Sequence, residues 1–200
     1  MTGDTARNKA IVADKSPTLC GSIHDVQAGW VFWITGLSGS GKTTVGRLIF
    51  QQLRTRYAPS VFLDGDVLRD VFENNLGYSL EERRACARRY CRLSRMLAQQ
   101  GLHVVIATIS MFHECRRWNR EHIANYYEIY LRAPLDLLAK RDRGELYRQA
   151  FTGAVKQVVG VDLPFEEPSN PDLIIDTGHS MLPQAAADCI WERIRTLPAL

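Results

Sequence analysis

An apolar run, Trp30-Val-Phe-Trp-Ile-Thr35, stops at a glycine-rich octet, Gly36-Leu-Ser-Gly-Ser-Gly-Lys42-Thr43, and a helical pattern begins directly behind it. The octet fits G-x-x-x-x-G-K-[ST], and a strand before it with a helix after it is the setting that this phosphate-binding loop needs. Glycines let the backbone curl until several N–H groups converge on one centre. A helix opening near Gly41 adds the positive end of its dipole. Gly36, Leu37, Ser38, Gly39, Ser40, Gly41, Lys42, Thr43 and Thr44 are therefore the candidate ATP-binding residues. The Lys42 ammonium would face the β and γ phosphates, and the Thr43 hydroxyl would meet Mg²⁺.

The rest of the chain repeats the strand-then-helix succession. Val45, Leu48, Ile49 and Leu53 recur at helical spacing between residues 42 and 57. Residues 60–63 read as a short strand that stops at Asp64. Residues 81–100 read as a long amphipathic helix with Cys86, Tyr90, Leu93 and Leu97 on one face, a capping box at Ser79-Leu-Glu-Glu82 and a stop at Gly101. Residues 103–109 are the most continuous β-branched run and are expected to form the central strand. A polar helix over 112–125, strands at 127–131 and 173–175, and a closing helix over 183–197 complete the pattern. Such alternation predicts an α/β chain, a three-layer P-loop kinase fold with a parallel five-stranded sheet. The length of 200 residues suits one such domain, assigned to residues 29–200, with residues 1–28 read as a mobile or loosely docked extension.

Composition excludes several classes. Hydrophobic residues at 46% and charged residues at 24% are globular proportions. No apolar run approaches the roughly 20 residues that span a bilayer, and residues 1–28 lack the apolar core of a secretory signal, so the expected location is cytoplasmic, away from membranes. A net charge of +3, from 25 basic and 22 acidic residues, does not suit a nucleic-acid binder. Five cysteines with no C-x-x-C pair read as reduced thiols rather than a disulfide framework or zinc site. A regulatory GTPase would need N-K-x-D and D-x-x-G, and neither occurs. A small-molecule kinase fits the size best; a non-catalytic or regulatory nucleotide-binding P-loop protein is the alternative from another class.

The second strand runs into Leu63-Asp-Gly-Asp66-Val-Leu-Arg69. In an open parallel sheet ligands gather at the carboxyl ends of the strands, which would bring Asp64 and Asp66 close to the phosphate loop. One carboxylate would hold Mg²⁺, directly or through water, and the other would accept the proton of an attacking hydroxyl. The candidate catalytic residues are thus Lys42, Asp64 and Asp66, and the candidate metal ligands Thr43, Asp64 and Asp66.

Several segments in order resemble the adenylylsulfate kinase family. They are Phe32 to Thr44, Leu63-Asp-Gly-Asp66 with Arg69, Leu76-Gly-Tyr-Ser79 with Arg83, Ile109-Ser110, Arg141-Asp142, Leu146-Tyr147, Gly160-Val-Asp162 and Pro164-Phe-Glu-Glu-Pro168. The resemblance covers residues 30–177 and implies phosphorylation of the 3′-hydroxyl of adenosine 5′-phosphosulfate by Mg-ATP. It implies that Asp66 stands at the acceptor hydroxyl and the metal, with Asp64 beside it. It further implies that Arg69 and Arg83 bind the acceptor's anionic groups, that Tyr78 stacks on its base, that Ile109 and Ser110 lie at the pocket, and that Arg141 opens a lid over ATP. Fork-shaped guanidinium groups independently suit anionic oxygens. Other arginines of the long helix, such as Arg84, Arg88 and Arg92, read as a solvated face. Family members are often dimers, so the resemblance implies a homodimer.

The chain also departs from that family. Val67 replaces asparagine, Ala85-Cys-Ala-Arg-Arg89 replaces E-N-I-R-R, and Ser110-Met-Phe-His113 replaces S-P-Y-R. Val158 stands where the family carries the phenylalanine that closes an aromatic sandwich around the acceptor's adenine. Losing that ring removes about 1–3 kcal/mol of stacking by analogy with base–aromatic contacts. The segments Met111 to Arg120 and Asn125-Tyr-Tyr127 resemble a divergent branch, some members of which phosphorylate cytidine diphosphoramidate. The leading expectation is adenosine 5′-phosphosulfate, and a cytidine diphosphate derivative is the alternative acceptor.

Overall fold

A computed structural model describes residues 27–57, 59–73, 75–142, 145–178, 181–198 and 200. The expected extension over 1–28 therefore lies outside the described residues, apart from Gln27 and Ala28. Five strands, β1 (Val31–Thr35), β2 (Ser60–Asp64), β3 (His103–Ala107), β4 (Tyr126–Arg132) and β5 (Leu173–Asp176), pair in parallel in the order β2-β3-β1-β4-β5. Seven helices accompany them among the described residues: α1 (Lys42–Arg56), α2 (Gly65–Val71), α3 (Leu80–Gln99), α4 (His113–His122), α5 (Leu135–Arg141), α6 (Leu146–Phe151) and α7 (Pro183–Ile194).

Both faces of the sheet are covered, so its strands read as continuous apolar runs. Phe32 and Ile34 of β1 meet Val45, Ile49 and Leu53 of α1 and Ile190 of α7. Val31 and Trp33 point the other way, towards Cys86, Ala87 and Tyr90 of α3 and Cys115 of α4. Every residue of β1 is buried, and its two neighbours are β3 and β4. The middle of the sheet is thus β1 rather than the run at 103–109. The latter is an interior strand one place over, and it ends at Ala107 instead of Ile109. Pairing stops there because the last register partner of Ala107 is Ile34, after which the chain turns and the Ile109 carbonyl accepts from the Thr35 hydroxyl at 2.5 Å.

The capping box at Ser79 and Glu82 is present with both of its hydrogen bonds. Gly101 closes the C-terminal end of α3 at φ 83°, a left-handed conformation that glycine adopts freely. The polar helix expected over 112–125 is shorter: it ends at His122, where Ile123 turns extended and a bend at 124–125 leads into β4. It is also less polar in use than its composition suggests, since Cys115, Arg116 and Asn119 are buried. Short helices α5 and α6 had no clear period in the sequence. They pack a third apolar cluster, with Leu37, Met111, Tyr130, Leu138, Tyr147 and Val158, against the carboxyl end of the sheet.

Candidate functional site

The phosphate loop leaves β1 at Gly36, where φ is 151° and a Cβ would stand 2.5 Å from the Leu131 carbonyl oxygen. It enters α1 through Gly41, whose φ of 93° is left-handed. No side chain caps that helix, so the N–H groups of its first turn are available to an anion. The loop is braced from outside. Tyr147 of α6 donates its hydroxyl to the Ser38 carbonyl at 2.9 Å, and Thr177 donates to the Ser40 carbonyl at 3.3 Å. Lys42 donates to the Leu37 carbonyl at 2.7 Å. Burial pulls the Lys42 ammonium down to about 8, opposed by the Asp66 carboxylate and then by Asp64.

Asp64 ends β2 and caps α2, with Oδ1 accepting from the Asp66 N–H at 2.9 Å. Its Oδ2 accepts from the Thr43 hydroxyl at 2.8 Å. The acidic turn is thereby fastened to the phosphate loop. Tyr90 of α3 holds the turn from below, donating to the Gly65 carbonyl at 2.7 Å. Thr43 and Asp64 present hard oxygen donors beside the loop, and this fits Mg²⁺, which keeps most of its shell as water and phosphate oxygens and takes few protein ligands. Among the described residues no group of three His, Cys, Asp or Glu side chains is gathered as a cage for a metal.

Lys42, Thr43, Thr44, Asp64 and Asp66 line a cavity of about 680 Å³. Arg69, Tyr78, Arg83, Ile109, Ser110 and Val158 line the same cavity, so the residues expected on the acceptor side share one space with the acidic turn. Both guanidinium groups lie over the Tyr78 ring, Arg69 at 4.5 Å and Arg83 at 5.2 Å from its centroid. Arg69 also donates to the carbonyls of Leu76 at 3.0 Å and Gly77 at 3.1 Å. Arg83 donates to Tyr78 at 2.9 Å and to Gln157 at 2.7 Å. The arginines therefore shape the Tyr78 turn as well as facing the cavity. Val158 is buried against Leu37 and Met111 and offers no ring.

Arg141 stands apart from this cavity. It lines a second one, of about 370 Å³, with Thr177, Met181, Leu182 and Pro183. Its guanidinium donates to the Thr177 carbonyl at 2.7 Å and to Gly178 at 3.1 Å. Gly39 and Gly41 line both cavities, so the phosphate loop is the partition between them.

Sequence reasoning did not single out Thr108, Phe112 or Phe165, all of which line the large cavity. Thr108 and Ser110 share a hydrogen bond of 2.7 Å between their hydroxyls. Phe165 left a trace as part of Pro164-Phe-Glu-Glu-Pro168, and Phe112 as part of Ser110-Met-Phe-His113. Of the long helix's arginines read as a solvated face, Arg88 and Arg92 are exposed, pairing with Glu114 and lying over Trp118, whereas Arg84 is half-buried and lies over Phe112. Among the described residues Cys86, Cys91, Cys115 and Cys189 are free, and no helix is long and apolar enough to cross a membrane.

Comparison with known proteins gives one consistent answer. The family model for adenylylsulphate kinase matches residues 28–176. The cytidine diphosphoramidate kinase of Campylobacter jejuni is 38% identical over 147 residues, covering 74% of this chain and 85% of that protein. The adenylyl-sulfate kinase of Rippkaea orientalis is 34% identical over 171 residues, covering 86% of this chain and 94% of the relative. Among solved structures, the Mycobacterium tuberculosis APS kinase CysC in complex with AMPPNP and APS superposes with a TM-score of 0.77 at 31% identity, over 84% of this chain and 99% of that one.

Proposed function

We propose, from the premise that the chain belongs to the adenylylsulphate kinase family and is a phosphotransferase acting on a hydroxyl group, that it moves the γ-phosphate of Mg-ATP to a sugar hydroxyl of a nucleotide acceptor. The observation that carries this reading is the Thr43–Asp64 hydrogen bond. It brings the phosphate loop and the acidic turn together in a cavity that Arg69, Tyr78 and Arg83 also line.

In this reading Lys42 holds the β and γ phosphates, and the N–H groups of the loop and of the first turn of α1 hold the rest of the chain of phosphates. Thr43 and Asp64 would hold Mg²⁺, which when bound would supply positive charge to the phosphate oxygens. Asp66 accepts the proton of the acceptor hydroxyl. The acceptor oxygen forms a bond to the γ-phosphorus while the bond from that phosphorus to the β–γ bridging oxygen breaks, and ADP leaves with the electron pair. Arg141 and the Thr177–Gly178 turn face the donor's base across the partition. Residues 29–200 form the kinase unit, and the family resemblance supports a homodimer.

Two acceptors compete. The 3′-hydroxyl of adenosine 5′-phosphosulfate is the reading that the family as a whole supports. A cytidine diphosphate derivative is favoured by one feature of this pocket: Val158 leaves a wall without a ring, and a pyrimidine needs less stacking surface than adenine. The test is ATP consumption with adenosine 5′-phosphosulfate, cytidine diphosphate derivatives, gluconate and shikimate, ranked by kcat/KM. Turnover with a nucleotide acceptor is expected, and turnover with gluconate or shikimate alone would overturn the nucleotide reading. If adenine is the true base, Val158→Phe should raise kcat/KM for the adenine acceptor about 5- to 150-fold, the equivalent of one stacking contact. No gain for adenine in that variant would remove Val158 as the discriminating residue.

A further inference from the structure

Four aromatic side chains line the large cavity, and they differ in what they can offer a ligand. Tyr90 and Phe112 are buried, whereas Tyr78 is 51% exposed and Phe165 is 36% exposed. A base stacks only on an accessible ring face, so Tyr78 and Phe165 are the rings with surface to give. Val158, where the family's second ring would stand, is buried in the cluster beneath.

Phe165 lies in a stretch, residues 164–168, that belongs to no helix or strand. Its position must therefore come from the hydrogen bonds and ion pairs of its neighbours. The neighbouring Glu166 supplies most of them. Its N–H donates to the Met111 carbonyl at 3.1 Å, and its carboxylate accepts from the His113 N–H and faces Arg84 at 3.6 Å. Arg116 Nη2 donates to the carbonyls of Glu166 at 2.9 Å and Glu167 at 3.4 Å.

Arg116 is itself deeply set, at 5% exposure, and faces Glu128 of β4 at 3.5 Å. Glu128 is 2% exposed. Arg120, one turn further along α4, reaches the other Glu128 oxygen at 3.3 Å, Asp172 at 3.1 Å and the Asn170 carbonyl at 2.9 Å. One buried carboxylate thus orients two arginines that grip the 164–172 stretch near both ends. A buried ion pair adds little net stability, and its attested use is to fix a unique geometry. A plain surface loop would not need such an anchor.

We propose that Phe165 is the second wall against which the acceptor's base packs, and that Arg116 is the positioning residue that holds it there. This deepens the acceptor reading and rests on it, because it needs an acceptor with a base. The ring replaces from a different point of the chain the stacking surface that Val158 does not supply.

The test is equilibrium binding by calorimetry, with cytidine 5′-diphosphate and adenosine 5′-phosphosulfate as probes and a non-hydrolysable ATP analogue as control. Phe165→Ala should weaken binding of the preferred probe about 5- to 150-fold, the range of one base–aromatic contact, with the ATP analogue and the Tm unchanged. Phe165→Tyr, which keeps a ring, should bind as the parent does. Arg116→Ala should weaken the same probe, and Arg116→Lys less so. The double variant Arg116→Ala/Phe165→Ala should be no weaker than Phe165→Ala alone, because one residue acts through the other. Unchanged probe binding in Phe165→Ala overturns the proposal, and losses that simply add in the double variant overturn the role of Arg116. These outcomes separate from those of the kinase reading. If Phe165→Ala binds normally while phosphate transfer proceeds, the wall falls and the kinase stands. If probe binding falls in Phe165→Ala but the parent transfers phosphate to neither probe's class, the acceptor reading falls and the wall stands. A parent protein that binds neither probe overturns both.

Discussion

The hydroxyl of Thr43, in the first turn of α1, donates to Asp64 Oδ2 at 2.8 Å, at the end of β2. Two loops that share no sequence are thereby locked into one geometry before any nucleotide arrives, and preorganised charge of this kind is what lowers a barrier without reorganisation at the moment of reaction. Lys42→Ala and Asp64→Asn should each lower kcat by roughly 10²–10³-fold, the range for deleting one preorganised stabilising group. Thr43→Ala should shift the Mg²⁺ concentration that supports half-maximal turnover upward. Steady-state kinetics across Mg²⁺ concentrations checks all three, and near-normal turnover in Lys42→Ala would refute the kinase reading.

Asp66 lies on the same cavity wall but makes its electrostatic effect on Lys42 without a hydrogen bond to Thr43. Asp66→Asn keeps its shape and removes its charge. A fall in kcat of roughly 10²–10⁴-fold is expected, the range for loss of a general base, with the KM for ATP little changed. An unaltered kcat would move the proton-accepting role to Asp64.

The lowered pKa of Lys42, about 8 through burial, makes a prediction about ATP. Below that value the ammonium is charged and attracts phosphate; above it the free protein has lost the charge. Bound phosphates favour the charged form, so binding takes up a proton above about pH 8. ATP-analogue affinity should hold steady from pH 6.5 to 7.5 and fall through pH 8 to 9.5. Calorimetry in two buffers of different ionisation enthalpy reads the proton uptake, and its absence would mean that another group sets the profile.

Burial pushes the Glu128 carboxyl up to about 7, against the pull of Arg116 and Arg120, while Asp172 adds to the rise. Tyr126, on the same strand, stays neutral in this range because burial raises its hydroxyl well above the usual value. As pH falls through about 7 Glu128 takes up a proton and loses the charge that orients both arginines. The acceptor's KM should rise on the acid side of neutrality while the KM for ATP stays flat. In Glu128→Gln the KM should start high and lose that dependence. The same group sets a stability trend of opposite sense. The folded pKa lies above the unfolded one, so folding retains a proton between about pH 4.5 and 7, and this contribution declines as pH rises across that window. Denaturant midpoints at pH 5 and 8 measure it.

The donor half of the site was legible because its chemistry is local. Gly36 to Thr43 are consecutive, and Asp64 and Asp66 sit at a strand end, where a parallel sheet gathers its ligands. The five strands were legible for a related reason: burial on both faces leaves nearly continuous apolar runs. The acceptor half was harder to read because it is assembled from positions far apart in sequence. Tyr78 and Phe165 share a cavity only after α3, α4 and the 164–172 stretch have packed, and the anchors Arg116 and Glu128 meet across a helix and a strand. Arg116 sits in a helix that looks solvated by composition, so no periodicity marks it as buried. Helices α5 and α6 are short, at 7 and 6 residues, and give the helical period too little length to emerge.

The place of β1 in the sheet has a consequence for how the chain is made. β1 is the earliest strand among the described residues, yet its partners are β3 and β4, which begin at His103 and Tyr126. During synthesis Val31 to Thr35 must wait, unpaired, until β3 has left the ribosome, and its second edge stays open until β4 follows. Non-local parallel pairing of this kind is slow to form and exposes strand edges meanwhile. A fragment ending before Tyr126 would carry β1 with one long edge open, and should aggregate where the full chain stays in solution.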